Sequence, residues 1–348
     1  MPPVGLLERL KDGGNVICAE GYLWELERRG YLRSGIFTPE IILDQPERVR
    51  NLHEEFVHAG SDVVEAFTYY GHREKMKAIS REDDLETLNL RALKIAREVA
   101  DSTNTLMAGN LSNTTCFDPD DPKTMEKART IFKEQVEWAV KGGADYIIGE
   151  TYCEIQEARL ALECIQKYGN GLPAVITLVP YSPKRTVDGV PFPQALRQLE
   201  EAGAAVVGIN CGRGPATMIP ILKEIRQVCK GPIAALPVPF RTTPKEQTFQ
   251  RLTDPATGKL AYPLDISAVG CSRTDVKQFA ETAKEIGVQY VGLCCGSSSS
   301  LLREVAEVYG RTPPALKYSP NITSSFVHAP NLSTHAQKVR RYMMCEDE

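Results

Sequence analysis

Eight short runs of β-branched and apolar residues are spread along the chain with helical patterns between them. They are VICA (16–19), VVEAF (63–67), TLMAG (105–109), DYIIG (145–149), AVITLV (174–179), AVVGIN (205–210), PIAALPV (232–238) and QYVGLC (289–294). Most are continuously apolar, the pattern of parallel strands buried on both faces. Between them lie amphipathic stretches such as 46–60, 124–143, 192–203 and 273–287, several ending in glycine, a helix-stop signal. Four phrases share one shape of helix, glycine, buried strand and polar residue: EEFVHAGSDVVEAF, EWAVKGGADYIIGE, EEAGAAVVGINC and KEIGVQYVGLCC. Eight such βα units predict a TIM barrel, an α/β fold of (β/α)8 type. An open doubly wound sheet is the alternative. No G-x-G-x-x-G follows an early strand, so dinucleotide binding has little support.

At 348 residues the chain suits one barrel, expected over 1–315. The Pro-, Ser- and Asn-rich segment 316–348, with its basic stretch AQKVRRYMM, reads as a C-terminal arm lying on the barrel or on a neighbouring copy. A long insertion at 240–265 follows the seventh strand and is expected to form a lid or wall at the catalytic face.

A net charge of −4 leaves no broad basic surface for nucleic acid. No apolar run is long enough to span a bilayer, and the N-terminus lacks the pattern of a signal peptide. The ten cysteines then read as reduced thiols of a cytoplasmic protein, not as a disulfide framework. On the same ground the sequons at Asn110, Asn113, Asn321 and Asn331 are expected to be silent, and Glu-Asp-Glu after Cys345 is no prenylation signal.

In a TIM barrel the chemistry sits at the C-terminal ends of the strands. Those ends read Glu20-Gly21-Tyr22, Thr68-Tyr69-Tyr70, Glu150-Thr151-Tyr152, Asn210-Cys211-Gly212 and Cys294-Cys295-Gly296. Cys211, Cys294 and Cys295 come from strands two places apart, so a closed barrel brings them together. Three thiolates with one exchangeable position make a catalytic zinc site and disfavour Mg²⁺ or Ca²⁺. The competing reading for any one of them is a small buried residue. The histidines are weaker candidates. His53 and His58 are expected on the solvent side of a helix, His72 in a loop beside Tyr70, and His328 and His335 in the tail. Arg241 and Arg273 flank the catalytic face, where they are candidates for holding a donor carboxylate.

The motifs GINC (208–211) and GLCCG (292–296), supported by ELERRGYLRSGIFTPE (25–40), REDDLETLNLRALKIAREVAD (81–101) and FTYY (67–70), resemble those of the zinc-dependent homocysteine S-methyltransferase family, nearest its betaine-using branch. The resemblance runs from about residue 10 to 315. It implies one zinc ion on Cys211, Cys294 and Cys295, with homocysteine sulfur in the fourth position and Glu150 on the amino group. The bound thiolate would take a methyl group from a small onium donor, such as a betaine or a sulfonium, giving methionine. It also implies an aromatic cage for that donor, with Phe37, Tyr69, Tyr70, Thr151 and Tyr152 at or beside the cage positions. Two departures stand out. The family's Asp at the end of the first strand is Ala19 here; Glu20 is the candidate to take its place from the next position, while strand alternation would equally turn it to the opposite face. The betaine branch has Trp at 37 and Tyr at 151, so the cage differs; Tyr152 is the candidate to compensate, with core packing the equal alternative. The small-molecule thiol and donor are the expected partners, together with further copies of the chain in a homo-oligomer. The rivals are a zinc-binding relative without turnover, a methyltransferase for another thiol or selenol, and a redox barrel using the Cys294-Cys295 pair.

Overall fold

The computed structural model describes residues 4–182 and 184–345. The first residues of the N-terminal segment and the acidic 346–348 end, both read above, lie outside the described residues. Eight parallel strands close into a barrel in chain order: β1 (Val16–Ala19), β2 (Val63–Glu65), β3 (Leu106–Leu111), β4 (Tyr146–Tyr152), β5 (Ala174–Leu178), β6 (Val206–Asn210), β7 (Ile233–Leu236) and β8 (Tyr290–Leu293). The outer helices are α1 (Pro46–Ala59), α2 (Leu85–Thr103), α3 (Pro122–Lys141), α4 (Ile155–Tyr168), α5 (Phe192–Glu201), α6 (Pro215–Val228), α7 (Arg273–Ile286) and α8 (Ser299–Val308). The expected (β/α)8 architecture is therefore present, with each of the eight apolar runs supplying one strand. Closure is made by β1 on β8, in register from Val16 opposite Tyr290 to Ala19 opposite Leu293.

Strand alternation divides the core into two compartments. Ile17, Ala19, Val64, Ile147, Ile176 and Val207 point outward against the helices. Val16, Cys18, Val63, Ala108, Ile148, Val175 and Ala234 fill the barrel. Across its middle the Tyr146 and Tyr290 hydroxyls are 2.8 Å apart, which pairs two buried phenols. The motif glycines serve closure. A Cβ on Gly208 would collide with the Ala234 carbonyl, and one on Gly292 with the Cys18 carbonyl, so only glycine lets these strands approach.

Helix α1 shows how the outer layer forms. Pro46 starts it, Gly60 ends it at φ 116°, and Val49, Leu52, His53, Phe56 and Ala59 form its buried stripe. The expectation that His53 faces solvent fails here. Its place between Leu52 and Phe56 puts it on the inner face, fully buried against the Tyr22 ring at 4.8 Å. His58 is on the exposed side, as expected.

The insertion after β7 does not run free. It folds back across the C-terminal end of the barrel, with a short turn at Phe249–Arg251 and a cis Tyr262-Pro263 bond. Beyond α8, a turn at Pro314–Tyr318 docks on α1 and α8, and α9 (Thr334–Met343) follows on the surface. Tyr318, Ile322, Phe326, Tyr342 and Met343 in this last segment are exposed.

Candidate metal centre and substrate cavity

Counting two residues further along each inward row explains the floor of the site. Cys18 is followed by Glu20, Val63 by Glu65, Ala108 by Asn110, Ile148 by Glu150 and Val175 by Thr177. Asn210 completes this polar layer from β6. Its members are all buried. Asn110 Nδ2 donates to Glu65 Oε1 at 2.6 Å and to Glu150 Oε1 at 2.7 Å. Asn210 Nδ2 donates to Glu150 Oε2 at 2.8 Å and to Glu20 Oε2 at 3.0 Å. Asn210 Oδ1 in turn accepts from the Thr177 hydroxyl and the Thr151 N–H. Two amides thus tie three carboxyl groups into one chain. Burial raises the pKa of all three, and their mutual repulsion adds to it for Glu20 and Glu65. On β1 the alternation settles which residue enters the barrel: Ala19 packs outward and Glu20 points in.

Three thiols lie above this layer. Cys211 Sγ is 3.8 Å and Cys294 Sγ 3.9 Å from Cys295 Sγ, and all three lie within 4.8 Å of one another. Cys294 continues the inward row of β8. Cys211 would face outward by simple alternation, but it adopts φ 55° and so turns its thiol into the cavity. Contact among the three thiols shifts the pKa of Cys211 down and those of Cys294 and Cys295 up. Ligands at about 2.3 Å from a tetrahedral metal stand roughly 3.8 Å apart, so two of the edges already have that length. They are far longer than a disulfide, about 2.05 Å, and all ten cysteines are free. The donor set is therefore sized for one metal ion.

A cavity of about 310 Å³ opens over this centre. Glu65, Glu150, Thr151 and the three cysteines reach its floor, and Phe37, Tyr69 and Tyr70 stand at its side. Glu20 does not line it. Its carboxyl accepts from Asn210 and lies near Glu150 and Cys294. Tyr152 does not line it either. The register of β4 against β5 shifts between Gly149 and Tyr152, and Thr151 adopts φ 64°. That bulge turns Thr151 toward the cavity and sends Tyr152 outward, where it is fully buried against Phe132 of α3. Arg241 pairs with Asp275 and Arg273 with Glu304, and neither reaches the cavity. His72 is buried beside Tyr70 but is not part of the lining.

The opposite wall was not foreseen. Trp24 stacks on Tyr262 at 5.9 Å and meets Phe249 edge-on at 5.6 Å. Phe249 also packs on Phe240 at 5.8 Å. Tyr181 closes the rim. The expected cage rings already carry a cation: Lys75 Nζ lies 4.2 Å from the Tyr70 centroid and 5.6 Å from that of Phe37. Burial lowers the pKa of that ammonium.

The fold and site define a barrel enzyme with three thiols at metal-ligand spacing set over buried carboxyls at the C-terminal end of the strands. A family model described as homocysteine S-methyltransferase matches residues 16–309. Betaine–homocysteine S-methyltransferase 1 of Mus musculus is 31% identical over 325 residues, covering 89% of this chain and 77% of the relative. S-methylmethionine–homocysteine S-methyltransferase BHMT2 of Pongo abelii is 32% identical over 321 residues, covering 89% and 84%. The chain belongs to the homocysteine S-methyltransferase family, and so to a family of methyltransferases. In fold it is similar to the metallated homocysteine methyltransferase MmuM of Escherichia coli, with a TM-score of 0.68 over 86% of this chain and 99% of that one, at 16% identity. Among the described residues no helix is long and apolar enough to cross a membrane.

Proposed function

We propose that this enzyme moves a methyl group from a small onium donor to the thiol of L-homocysteine, giving methionine, with one zinc ion held by Cys211, Cys294 and Cys295. The carrying observation is the thiol spacing of 3.8 and 3.9 Å at the floor of a half-enclosed cavity. Three sulfur ligands with a fourth position facing a cavity suit zinc better than a hard cation. When bound, zinc supplies the positive charge that keeps the acceptor thiol deprotonated near neutral pH.

The chain's own residues do the rest. Glu150, fixed by both asparagines, offers its remaining lone pairs to the acceptor's ammonium. Tyr69 on one side and Trp24 and Tyr262 on the other line the cavity with rings for a cation that has no N–H to donate, while Tyr70 and Phe37 already hold Lys75 on one face. Each such contact is worth about 0.5–2 kcal/mol when desolvated. Holding both substrates in one small cavity aligns the sulfur with the methyl carbon and lowers the entropic barrier. In that displacement a carbon–sulfur bond forms as the bond from the methyl to the donor's nitrogen or sulfur breaks. The donor leaves as a neutral amine or sulfide.

The donor is a betaine or a sulfonium such as S-methylmethionine or dimethylsulfoniopropionate. The relatives named above use betaine and S-methylmethionine. The changes at Phe37 and Thr151, with Tyr152 turned away, favour a donor other than glycine betaine. Free thiols at ligand spacing fit a reducing, cytoplasmic setting. The exposed apolar residues of the segment from 316 suit contact with a second copy. The test is zinc-loaded protein incubated with homocysteine and a panel of onium donors, with methionine read by mass spectrometry. Methionine should form with at least one donor; none with any, despite bound zinc, would refute the reading.

A further inference from the structure

The proposed reading needs a site for the acceptor's amino group, and Glu150 alone does not complete one. Glu65 and Glu150 both line the cavity, and one amide nitrogen of Asn110 binds both, at 2.6 and 2.7 Å. Besides one another and Glu20, their hydrogen-bonding side-chain partners among the described residues are Asn110, Asn210, Thr151 and the Cys18 thiol, all neutral. Two carboxyls held this close at the cavity, with no cationic side chain beside them, offer an ammonium two acceptors at once. Tyr22 supplies an independent observation. It lines the same cavity and is 3% exposed, and its hydroxyl lies near the Glu65 backbone without a side-chain hydrogen-bond partner among the described residues. Buried phenols ordinarily find one.

We infer that Glu65, Glu150 and the Tyr22 hydroxyl together form the ammonium subsite of the acceptor, so that Glu65, and not Glu20, is the second carboxylate holding the amino group. A primary ammonium carries three N–H donors, which matches two carboxylates and one phenol oxygen. Glu20 is not placed in the same way, because it is held by Asn210 and does not line the cavity. Its part is to orient Asn210, which in turn orients Glu150. The subsite selects thiols that bear a primary amine on a short chain. It excludes neutral alkyl thiols and thiol acids that lack the amine.

This inference rests on the proposed acceptor, and a binding measurement separates the two. Zinc-loaded wild type, Glu65→Gln and Glu20→Gln are titrated calorimetrically with L-homocysteine and with 4-mercaptobutanoate, the same thiol acid without its amino group. In the wild type, homocysteine should bind more tightly. Glu65→Gln should weaken homocysteine by at least about tenfold, the loss of one hydrogen bond to a charged group, and should leave 4-mercaptobutanoate within about twofold. Zinc content should be the same in all three proteins. The inference is overturned if Glu65→Gln weakens both ligands equally or neither. It is also overturned if Glu20→Gln abolishes the preference for the amine while Glu65→Gln keeps it. Homocysteine binding without methionine formation would sink the proposed function and still let the variants decide this point. A wild type that does not bind homocysteine overturns both.

Discussion

The two sides of the cavity are built in different ways. The floor comes from barrel strands: Glu65, Asn110, Glu150, Asn210 and Cys294 are successive members of the inward rows, and each hydrogen bond crosses from one strand to another. The wall comes from segments outside the barrel: Trp24 from the helix Tyr22–Arg28, and Phe249 and Tyr262 from the insertion after β7. Strand-borne groups are fixed by the backbone ladder, so the floor is suited to the part of the reaction that must not vary, the metal and the acceptor. Ring faces on loops are easily exchanged, so on the proposed reading the wall, together with Phe37, is where a change of methyl donor would be accommodated. Within one cavity, chemistry and donor choice are therefore carried by different kinds of structure.

The sharpest way to break this division is Cys294→Ala. It removes one ligand from the floor and leaves a small side chain in a tight place. Zinc content should fall to near zero with methyl transfer below detection, while the circular dichroism stays that of the wild type. Retained zinc with retained activity would show that the centre is not built on these thiols. A less severe pair tests the separation itself. Glu150→Gln should raise the acceptor KM by about 10- to 100-fold, the cost of losing a hydrogen bond to a charged group, with little change in the donor KM. Trp24→Ala should do the reverse, raising the donor KM about 3- to 30-fold, as expected for one desolvated cation–π contact and its packing. If Trp24→Ala changed the acceptor KM as much as the donor KM, floor and wall would be one unit.

The same division decided what could be read from the chain. The eight apolar runs predicted all eight strands because a strand buried on both faces has no other way to look. The GINC and GLCCG motifs pointed to the three thiols, and their glycines turn out to be spacing residues of barrel closure. Glu65, Asn110 and Asn210 were legible too, by counting in twos from Val63, Ala108 and Val206. Reading only the last residues of each strand passed over Glu65 and Asn110 and gave Asn210 no role. Thr151, Tyr152 and Cys211 lie beyond what alternation can say, because a bulge in β4 and left-handed backbone at Thr151 and Cys211 reset the parity. The Trp24–Tyr262 stack joins positions far apart in the chain through a folded insertion, and no local pattern in either segment announces it.

The smallest expected effect concerns stability, and it too separates the two sides. His53 stands behind the cavity, packed on the Tyr22 ring, with neither ring nitrogen hydrogen-bonded among the described residues. Burial, and then the Arg50 charge, lowers its pKa to about 3, against about 6.5 for a free histidine. The folded state thus binds fewer protons than the unfolded chain between those values. The stability that neutral His53 confers is complete above about pH 6.5 and is lost as pH falls toward 3. The floor carboxyls have the opposite sign. Their raised folded pKa values favour folding at low pH, and that contribution is lost as pH rises above the ordinary carboxyl range of about 4. On acidification from pH 7 to 5 the two act in opposite directions, His53 destabilising and the carboxyls stabilising, so removing the histidine isolates its share. His53→Leu removes a partnerless polar group from an apolar site. It should match or exceed the wild-type melting temperature at pH 7, and it should lose less of it on going to pH 5. Equal slopes for the two proteins in thermal melts across that range would show that His53 contributes nothing to the acid sensitivity.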